Sequence, residues 1–531
     1  MRILVADPIA EAGIRILQEQ ADVDVRRVTP AELLEIASEY DAIITRSETK
    51  ITADVLARAT RLKVVGRAGV GVDNIDVAAA TERGVVVVNV PGANTFSTAE
   101  HTWALILALV RNVPQAMASL KAGEWDRRRF TGVELHGKTL GVIGFGRIGY
   151  EVAARGRAFG MRVLAYDPYA NPARAEHLGV LLVDLPVLLA ESDIVTIHAA
   201  KTPETARLIQ ARELAMMKKG ARIVNCARGG MVDEMALYEA LRSGHLAGAA
   251  LDVFSTEPLT EHPLFTLPNV VVTPHLAAST VEAQEANGVQ IARQVLRVLA
   301  GELVPEAVNL PAVPPDAAQV VARHLPLAEV LGSFLGQAFA GPLRLVEVIY
   351  EGELAREPAT LLTNTVLKGL LGTRASEVVN YINAPALAKR YDVGVRESRS
   401  VEGGQAEGRI TVRAQVGPAE RTVTGTLGRD GEVRLVRVNG MPLDLAPTRY
   451  MIVTRHHDRP GILGQFGTIL GRAGVNIAGL SLGRQARAGE AVAIFLVDDA
   501  PGPEVVAELA AVDGVAEARP VTLPMLPNGL S

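Results

Sequence analysis

The sequence predicts an α/β chain in which a parallel, doubly wound unit is inserted into a second α/β segment and followed by two smaller α+β regions. Three observations carry that expectation. The apolar run Thr139-Leu140-Gly141-Val142-Ile143 enters a glycine turn, Gly144-Phe145-Gly146-Arg147-Ile148-Gly149, which opens a helical stretch. That turn begins only at residue 144, and the residues before it are themselves patterned as alternating strands and helices. A proline-marked linker (Pro305, Pro311, Pro314, Pro315) then separates these parts from a tail of different texture.

In chain order, Arg2-Ile3-Leu4-Val5-Ala6 reads as a strand and Glu11 to Gln20 as a helix. Ala42-Ile43-Ile44-Thr45, Lys63-Val64-Val65 and Val85-Val86-Val87-Val88 read as further strands. Ser97-Thr98-Ala99-Glu100 is a capping box, predicted to open one long apolar helix through about Leu120. His101 on that helix is expected to be a packed or capping histidine rather than a catalyst. Ile194–Ile197, Arg222–Asn225 and Val270–Thr273 supply the remaining strands of a Rossmann unit spanning 97–280. The helix Val281–Leu299 is expected to return to the first segment, completing a flavodoxin-like domain from 1–96 and 281–312.

Beyond the linker, 313–447 is expected to form an α+β intervening domain. Leu343–Tyr350 is strand-like, Thr360–Tyr381 helix-rich, and Gly408–Val416 alternates. Asp430-Gly431 and Asn439-Gly440 mark hairpins, and no catalytic constellation is visible between about 316 and 446. The last part, 448–531, follows a β-α-β-β-α-β pattern, the ferredoxin-like order.

Composition sets limits on partners. A net charge of −5 and a pI near 6.1 give no global basic field, so nucleic acid is not an expected partner. Nine of the 54 basic residues are lysine, an arginine bias attributed to genome composition. One cysteine, Cys226, excludes a disulfide scaffold and fits a reducing compartment. With no leader-like N-terminus, and an apolar run (Trp103–Val110) too short to span a bilayer, a cytoplasmic protein without membrane contact is expected.

The glycine turn has the parts that a dinucleotide needs. Gly144 makes the tight turn, Gly146 lets the backbone approach a pyrophosphate, and Gly149 lets the helix pack near the strand. The helix N-terminus then offers free N–H groups to the phosphates. Asp167, at the tip of the next strand (Val163-Leu164-Ala165-Tyr166), would bond the ribose hydroxyls and repel a 2′-phosphate, favouring NAD over NADP.

Three later segments place polar residues near strand ends: Asn225-Cys226-Ala227-Arg228-Gly229-Gly230, Ser255-Thr256-Glu257-Pro258 and Thr273-Pro274-His275-Leu276-Ala277-Ala278. Ligands of parallel sheets lie beyond the carboxyl ends of the strands, so these should converge on the cofactor. The chemistry they suit is hydride exchange at a 2-hydroxy or 2-oxo acid. Arg228 can grip the carboxylate through its planar fork. His275 can take or return the hydroxyl proton. Glu257, bonded to that imidazole, would fix its orientation and favour its protonated form.

With Gly66-Arg67-Ala68-Gly69-Val70-Gly71-Val72-Asp73-Asn74 added to these motifs, the chain resembles the D-2-hydroxyacid dehydrogenase family over about its first 310 residues. Over its whole length it resembles the long branch of that family, which oxidises D-3-phosphoglycerate. The resemblance implies Arg228, Glu257 and His275 as catalytic residues. It implies Gly144, Gly146, Arg147, Ile148, Gly149, Asp167, Cys226, Ala227, Asp252, Leu276, Ala277 and Ala278 around NAD, and no metal. Arg46, Arg67, Gly69 and Asn94 would handle the substrate, with Arg127 of the run Arg127-Arg128-Arg129 reaching a partner subunit's site. Val70, where threonine is frequent, and Ala199-Ala200, where Thr-Pro is frequent, depart from the family pattern and would lose side-chain contacts to the cofactor.

The tail motif His457-Asp458-Arg459-Pro460-Gly461-Ile462-Leu463, followed by Gly474-Val475-Asn476-Ile477, resembles the ACT domain, an amino-acid-sensing module. That likeness implies His456, Asp458 and Asn476 as effector contacts, L-serine as the effector, and a homotetramer. The expected reaction is NAD-dependent oxidation of D-3-phosphoglycerate to 3-phosphohydroxypyruvate, opening L-serine biosynthesis under serine feedback. The alternatives are a dehydrogenase for another 2-oxo acid, such as 2-oxoglutarate or glyoxylate, and an NAD-sensing regulator without catalysis.

Overall fold

In the computed structural model, residues 1–302, 304, 306–400 and 408–524 are described. Their strands form four sheets. The first holds Arg2–Val5, Asp22–Val25, Ala42–Thr45, Val64–Arg67 and Val86–Asn89 (β1–β5), all parallel, in the spatial order β2-β1-β3-β4-β5. That is the flavodoxin-like order. β1, β3 and β4 are almost continuously buried, which is what a parallel sheet covered on both faces requires.

The helix Val281–Leu299 does return to this sheet. Its Ile291 and Val295 pack over Gly66, where a Cβ would meet Val295 Cγ2 at 2.7 Å. The following segment seals the edge, because Asn309 Oδ1 accepts from Val87 N–H and its Nδ2 donates to the Val85 carbonyl.

The second sheet holds Thr139–Ile143, Arg162–Tyr166, Leu181–Leu182, Ile194–Ile197, Arg222–Asn225, Gly248–Leu251 and Val270–Val272 (β6–β12). It too is parallel, in the order β12-β11-β10-β9-β6-β7-β8. The helix Thr95–Val110 covers one face through Trp103, Ile106 and Leu109. The expected capping box at Ser97–Glu100 does not cap: the helix starts two residues earlier, and the Ser97 hydroxyl bonds back to the Asn94 carbonyl. Nor is it one helix to Leu120. It stops at Val110, Asn112 adopts a left-handed conformation, and a second helix runs Val113–Lys121.

The third sheet holds Leu343–Glu351, Gly394–Ser400, Arg409–Val416, Ala419–Leu427, Val433–Val438 and Met441–Leu445 (β13–β18), ordered β14-β13-β15-β16-β17-β18. Both expected hairpin turns join neighbouring antiparallel strands, β16 to β17 and β17 to β18. Thr360–Tyr381 is helical only as far as Gly372. Pro315 is not linker but opens a 24-residue helix, Pro315–Ala338, while Pro305 lies outside the described residues. That helix escapes sequence reading because Pro326 sits inside it and its apolar residues (Leu327, Ala328, Val330, Leu331, Phe334, Leu335) are buried on several faces.

The fourth sheet holds Tyr450–His457, Ile477–Arg484, Glu490–Val497 and Val515–Thr522 (β19–β22), in the ferredoxin-like order β20-β21-β19-β22. Met451, Val453, Ile494 and Val521 share one core with the helix Pro315–Ala338, so the last two units pack as a pair. Among the described residues no single helix is long and apolar enough to cross a membrane.

Candidate active site

The site is built at strand ends. Gly144 follows β6 with φ +88, and a Cβ there would meet the Ala199 N at 2.6 Å, so the turn admits only glycine. At Gly149 a Cβ would strike the Gly144 carbonyl at 2.0 Å, which fixes the helix close to the turn. At Gly146 a Cβ would meet nothing within 4 Å. That side of the turn is open, and the helix Arg147–Ala158 begins there with no side-chain cap, a fit for a pyrophosphate. Asp167, just past β7, accepts from Phe145 N–H at 2.8 Å and Tyr169 N–H at 2.9 Å, so its carboxylate is held at the mouth of the turn.

A cleft of about 350 Å³ opens between the two parallel sheets. Gly71 and Asp73 line it from the first sheet, Asn94 and Thr98 from the crossing helix. Ile148, His198, Cys226, Ala227, Arg228, His275, Ala277 and Ala278 line it from the second. Burial pushes the Cys226 thiol up to about 12, so it is a packing group rather than a nucleophile. Burial likewise pushes His198 down to about 3; this neutral ring contacts Thr196 Oγ1 at 2.9 Å.

His275 Nδ1 lies 2.7 Å from Glu257 Oε2. Burial works to raise the Glu257 carboxyl, but the bonds from His275 and from Phe254 N–H outweigh it and hold it below its usual value. Glu257 is therefore a carboxylate that accepts the Nδ1 proton, which leaves Nε2 as the free ring nitrogen.

Behind His275 stands a fully buried acid, Asp252. Burial would raise its carboxyl, yet His101, Thr273 Oγ1 at 2.6 Å and the N–H groups of Leu276 at 2.7 Å and Ala277 at 2.9 Å keep it lowered. Its carbonyl takes the His275 N–H at 2.9 Å. Leu276, expected at the cofactor, has an exposed side chain; its contribution to the site is this N–H.

Arg228 is held in place by its own turn and by a partner that sequence reasoning missed. Asn225 Nδ2 donates to the Arg228 carbonyl and Asn225 Oδ1 accepts from Ala227 N–H, both at 3.0 Å. The guanidinium Nε donates to Asp73 Oδ2 at 3.0 Å, across the two sheets. The motif around Asp73 was visible, but nothing in sequence joins residues 155 apart. Arg67 is largely buried at the end of β4, and its Nε has no hydrogen-bond partner among the described residues. Burial first, and the nearby Arg228 next, lower it to about 10. Gly69 is what leaves room for it, since a Cβ there would sit 1.7 Å from the Arg67 guanidinium. The main chain at Arg46 is held by Asp7, whose Oδ2 accepts from the backbone N–H of Arg46 at 2.6 Å. Arg147 reaches out of the turn to the Pro91 carbonyl at 3.0 Å.

Two sequence expectations are not brought together within one chain. Arg127 is exposed and is not among the residues lining the cleft. Asp458 and Asn476 stand at opposite ends of the fourth sheet. Asp458 pairs with Arg484 at 2.7 Å, while Asn476 donates to Asp498 at 2.6 Å. His456 is buried with its ring edge-on to Phe466, so its side chain belongs to the core at that end.

Comparisons with known proteins follow the same division. Residues 103–277 match the family described as D-isomer specific 2-hydroxyacid dehydrogenase, NAD binding domain. Residues 320–439 match the D-3-phosphoglycerate dehydrogenase intervening domain, and 450–514 match the ACT domain. The chain is 44% identical over 525 residues to D-3-phosphoglycerate dehydrogenase of Methanocaldococcus jannaschii, covering 98% of this chain and 100% of that one. It is 45% identical over 518 residues to the Mycobacterium tuberculosis protein of the same name, covering 96% and 97%. Among solved structures, the TT0316 protein of Thermus thermophilus is 41% identical with a TM-score of 0.55, covering 58% of this chain and all of that one. D-lactate dehydrogenase of Aquifex aeolicus, complexed with NAD and lactic acid, is 29% identical with a TM-score of 0.53, covering 57% and 96%.

Proposed function

The chain belongs to the D-3-phosphoglycerate dehydrogenase family, and we propose that it oxidises D-3-phosphoglycerate to 3-phosphohydroxypyruvate with NAD, the first step of L-serine biosynthesis, in the cytoplasm. The observation that carries the substrate is Arg67. A largely buried guanidinium with an unpartnered Nε, beside Arg228, is a costly arrangement unless an anion completes it. Phosphoglycerate brings two anionic groups. Arg228 grips the carboxylate, and Arg46 and Arg67 take the phosphate with Gly69 and Asn94 around it, joined by an arginine such as Arg127 from a second subunit.

Bound NAD supplies the hydride acceptor. His275 Nε2 removes the substrate's hydroxyl proton, and Glu257 stabilises the imidazolium this creates. Asp167 holds the ribose hydroxyls and disfavours a 2′-phosphate. Exposed Val113, Met117, Leu120 and Trp125 form an apolar face fit for a second subunit. β20 leaves a second edge, with Ile477, Leu480 and Leu482 partly exposed, so two contacts of this kind support a tetramer. Edge-to-edge pairing there would bring Asp458 of one subunit to the partner's Asn476, and serine bridging them would bias one arrangement of subunits.

Purified protein is expected to reduce NAD with 3-phosphoglycerate. Arg46→Ala and Arg67→Ala should each weaken that substrate by about 1.5–3 kcal/mol, the worth of a charge-assisted contact, and spare an unphosphorylated 2-hydroxy acid. Equal losses on both would give these arginines a structural role instead.

His275→Ala should bind NAD nearly as the wild type does and turn over roughly 100-fold more slowly, or worse. Fluorescence titration and steady-state kinetics measure the two, and native turnover would remove His275 from the chemistry.

A clear preference for NAD over NADP in kcat/KM is expected, narrowed in Asp167→Ala; equal use of both by the intact protein would contradict the role of this acid. Asn476→Ala should keep catalysis and lose most serine inhibition. Serine sensitivity that survives removal of residues 448–531 would place the effector elsewhere.

A further inference from the structure

His101 lines no part of the cleft, yet it touches the acid that shapes it. It sits in the second turn of the helix Thr95–Val110, whose first turn contributes Thr98 to the cleft. Its Nε2 is 3.2 Å from Asp252 Oδ1 and 3.1 Å from Thr273 Oγ1. The Thr273 hydroxyl gives its one proton to the same Oδ1 at 2.6 Å. Both atoms facing the ring are therefore acceptors, and Nε2 must carry the proton that joins them. The contact is that of a donor, not of a packed apolar ring.

What this donor holds is the main chain of the 275–277 segment. His275 has φ +57, a left-handed conformation that is unfavourable for a non-glycine residue. Three consecutive N–H groups keep it there by bonding to Asp252: His275 to the carbonyl, Leu276 and Ala277 to the carboxylate. The ring of His275 is held separately, by Glu257. The two restraints meet at one residue, and the main-chain restraint rests on a carboxylate with no solvent of its own.

We propose that His101 is a positioning residue: by donating to Asp252 and Thr273 it fixes the 275–277 main chain, and so the aim of the His275 imidazole into the cleft. It also couples that aim to the helix arriving from the first sheet. The proposal rests on the acid–base reading of His275 given above.

The test compares wild type with His101→Gln, whose amide N–H can approach the place of Nε2, and with His101→Leu, which keeps the bulk without the donor. Steady-state kinetics, NAD titration, melting and hydrogen exchange of the peptide spanning 273–278 are measured on each. In His101→Leu, kcat should fall by about tenfold or more while the Kd for NAD stays within about threefold, as misplacement of a catalytic group predicts. Exchange at 276 and 277 should quicken by about tenfold or more, whereas the Gln variant should stay near wild type in all four. If His101→Leu does not fold, His101→Asn, whose shorter amide falls short of Asp252, takes its place with the same expectation. Native turnover and unchanged exchange in the donor-free variant would overturn the proposal, as would a Gln variant as slow as that one. The exchange arm decides it even if phosphoglycerate proves not to be the substrate. An active His275→Ala enzyme would sink the acid–base reading separately.

Discussion

Two parallel sheets with their carboxyl ends turned toward one cleft are the constraint on which this site depends. In a parallel strand every side chain along the run is committed to packing, as the buried stretches of β3, β6 and β9 are. Polar chemistry gathers at the carboxyl ends of the strands and in the few residues that follow them. Arg46 follows β3, Arg67 ends β4, Gly144 follows β6, Asp167 follows β7, and His198 follows β9. Cys226 through Arg228 follow β10, Asp252 follows β11, and His275 comes three residues after β12. One rule of topology thus delivers ten positions to one place.

Within that frame the electrostatics are uneven in a useful way. On the side of the first sheet, positive charge is confined: Arg67 is buried near Arg228, with Asp73 and Asp7 as the neighbouring acids. On the side of the second sheet, negative charge is confined: Asp252 is fully buried and Glu257 partly so, and each keeps its charge through hydrogen bonds that outweigh the cost of burial. On the proposed function, an anionic substrate would be drawn to the first group and a proton managed by the second. The Arg228–Asp73 bond joins the two sides.

Among the described residues, the two C-terminal units add no side chain to the cleft. They share a core with each other, and the intervening unit packs back on the first sheet, where Ile382 enters that sheet's core and Asn380 Nδ2 donates to the Gly84 carbonyl at 2.7 Å.

The sequence by itself determined the fold class, the glycine turn, the order of the four units and the polar trio, because each is written in local pattern. A strand followed by Gly144-Phe145-Gly146 and a helix needs only neighbours in the chain to be recognised. Local pattern failed where the answer lay with distant partners. Ser97–Glu100 has the composition of a cap, but Ser97, Thr98 and Ala99 are buried within a helix that already starts at Thr95. Pro326 reads as a breaker, yet the helix around it survives because several of its faces are buried against other elements. Only the tertiary structure decided that Arg228 meets Asp73, that His101 donates to Asp252 and Thr273, and that Asp458 and Asn476 of one chain lie at opposite ends of a sheet. These are pairings between segments tens to hundreds of residues apart, set by register and crossing geometry, and no periodicity along a single chain encodes them.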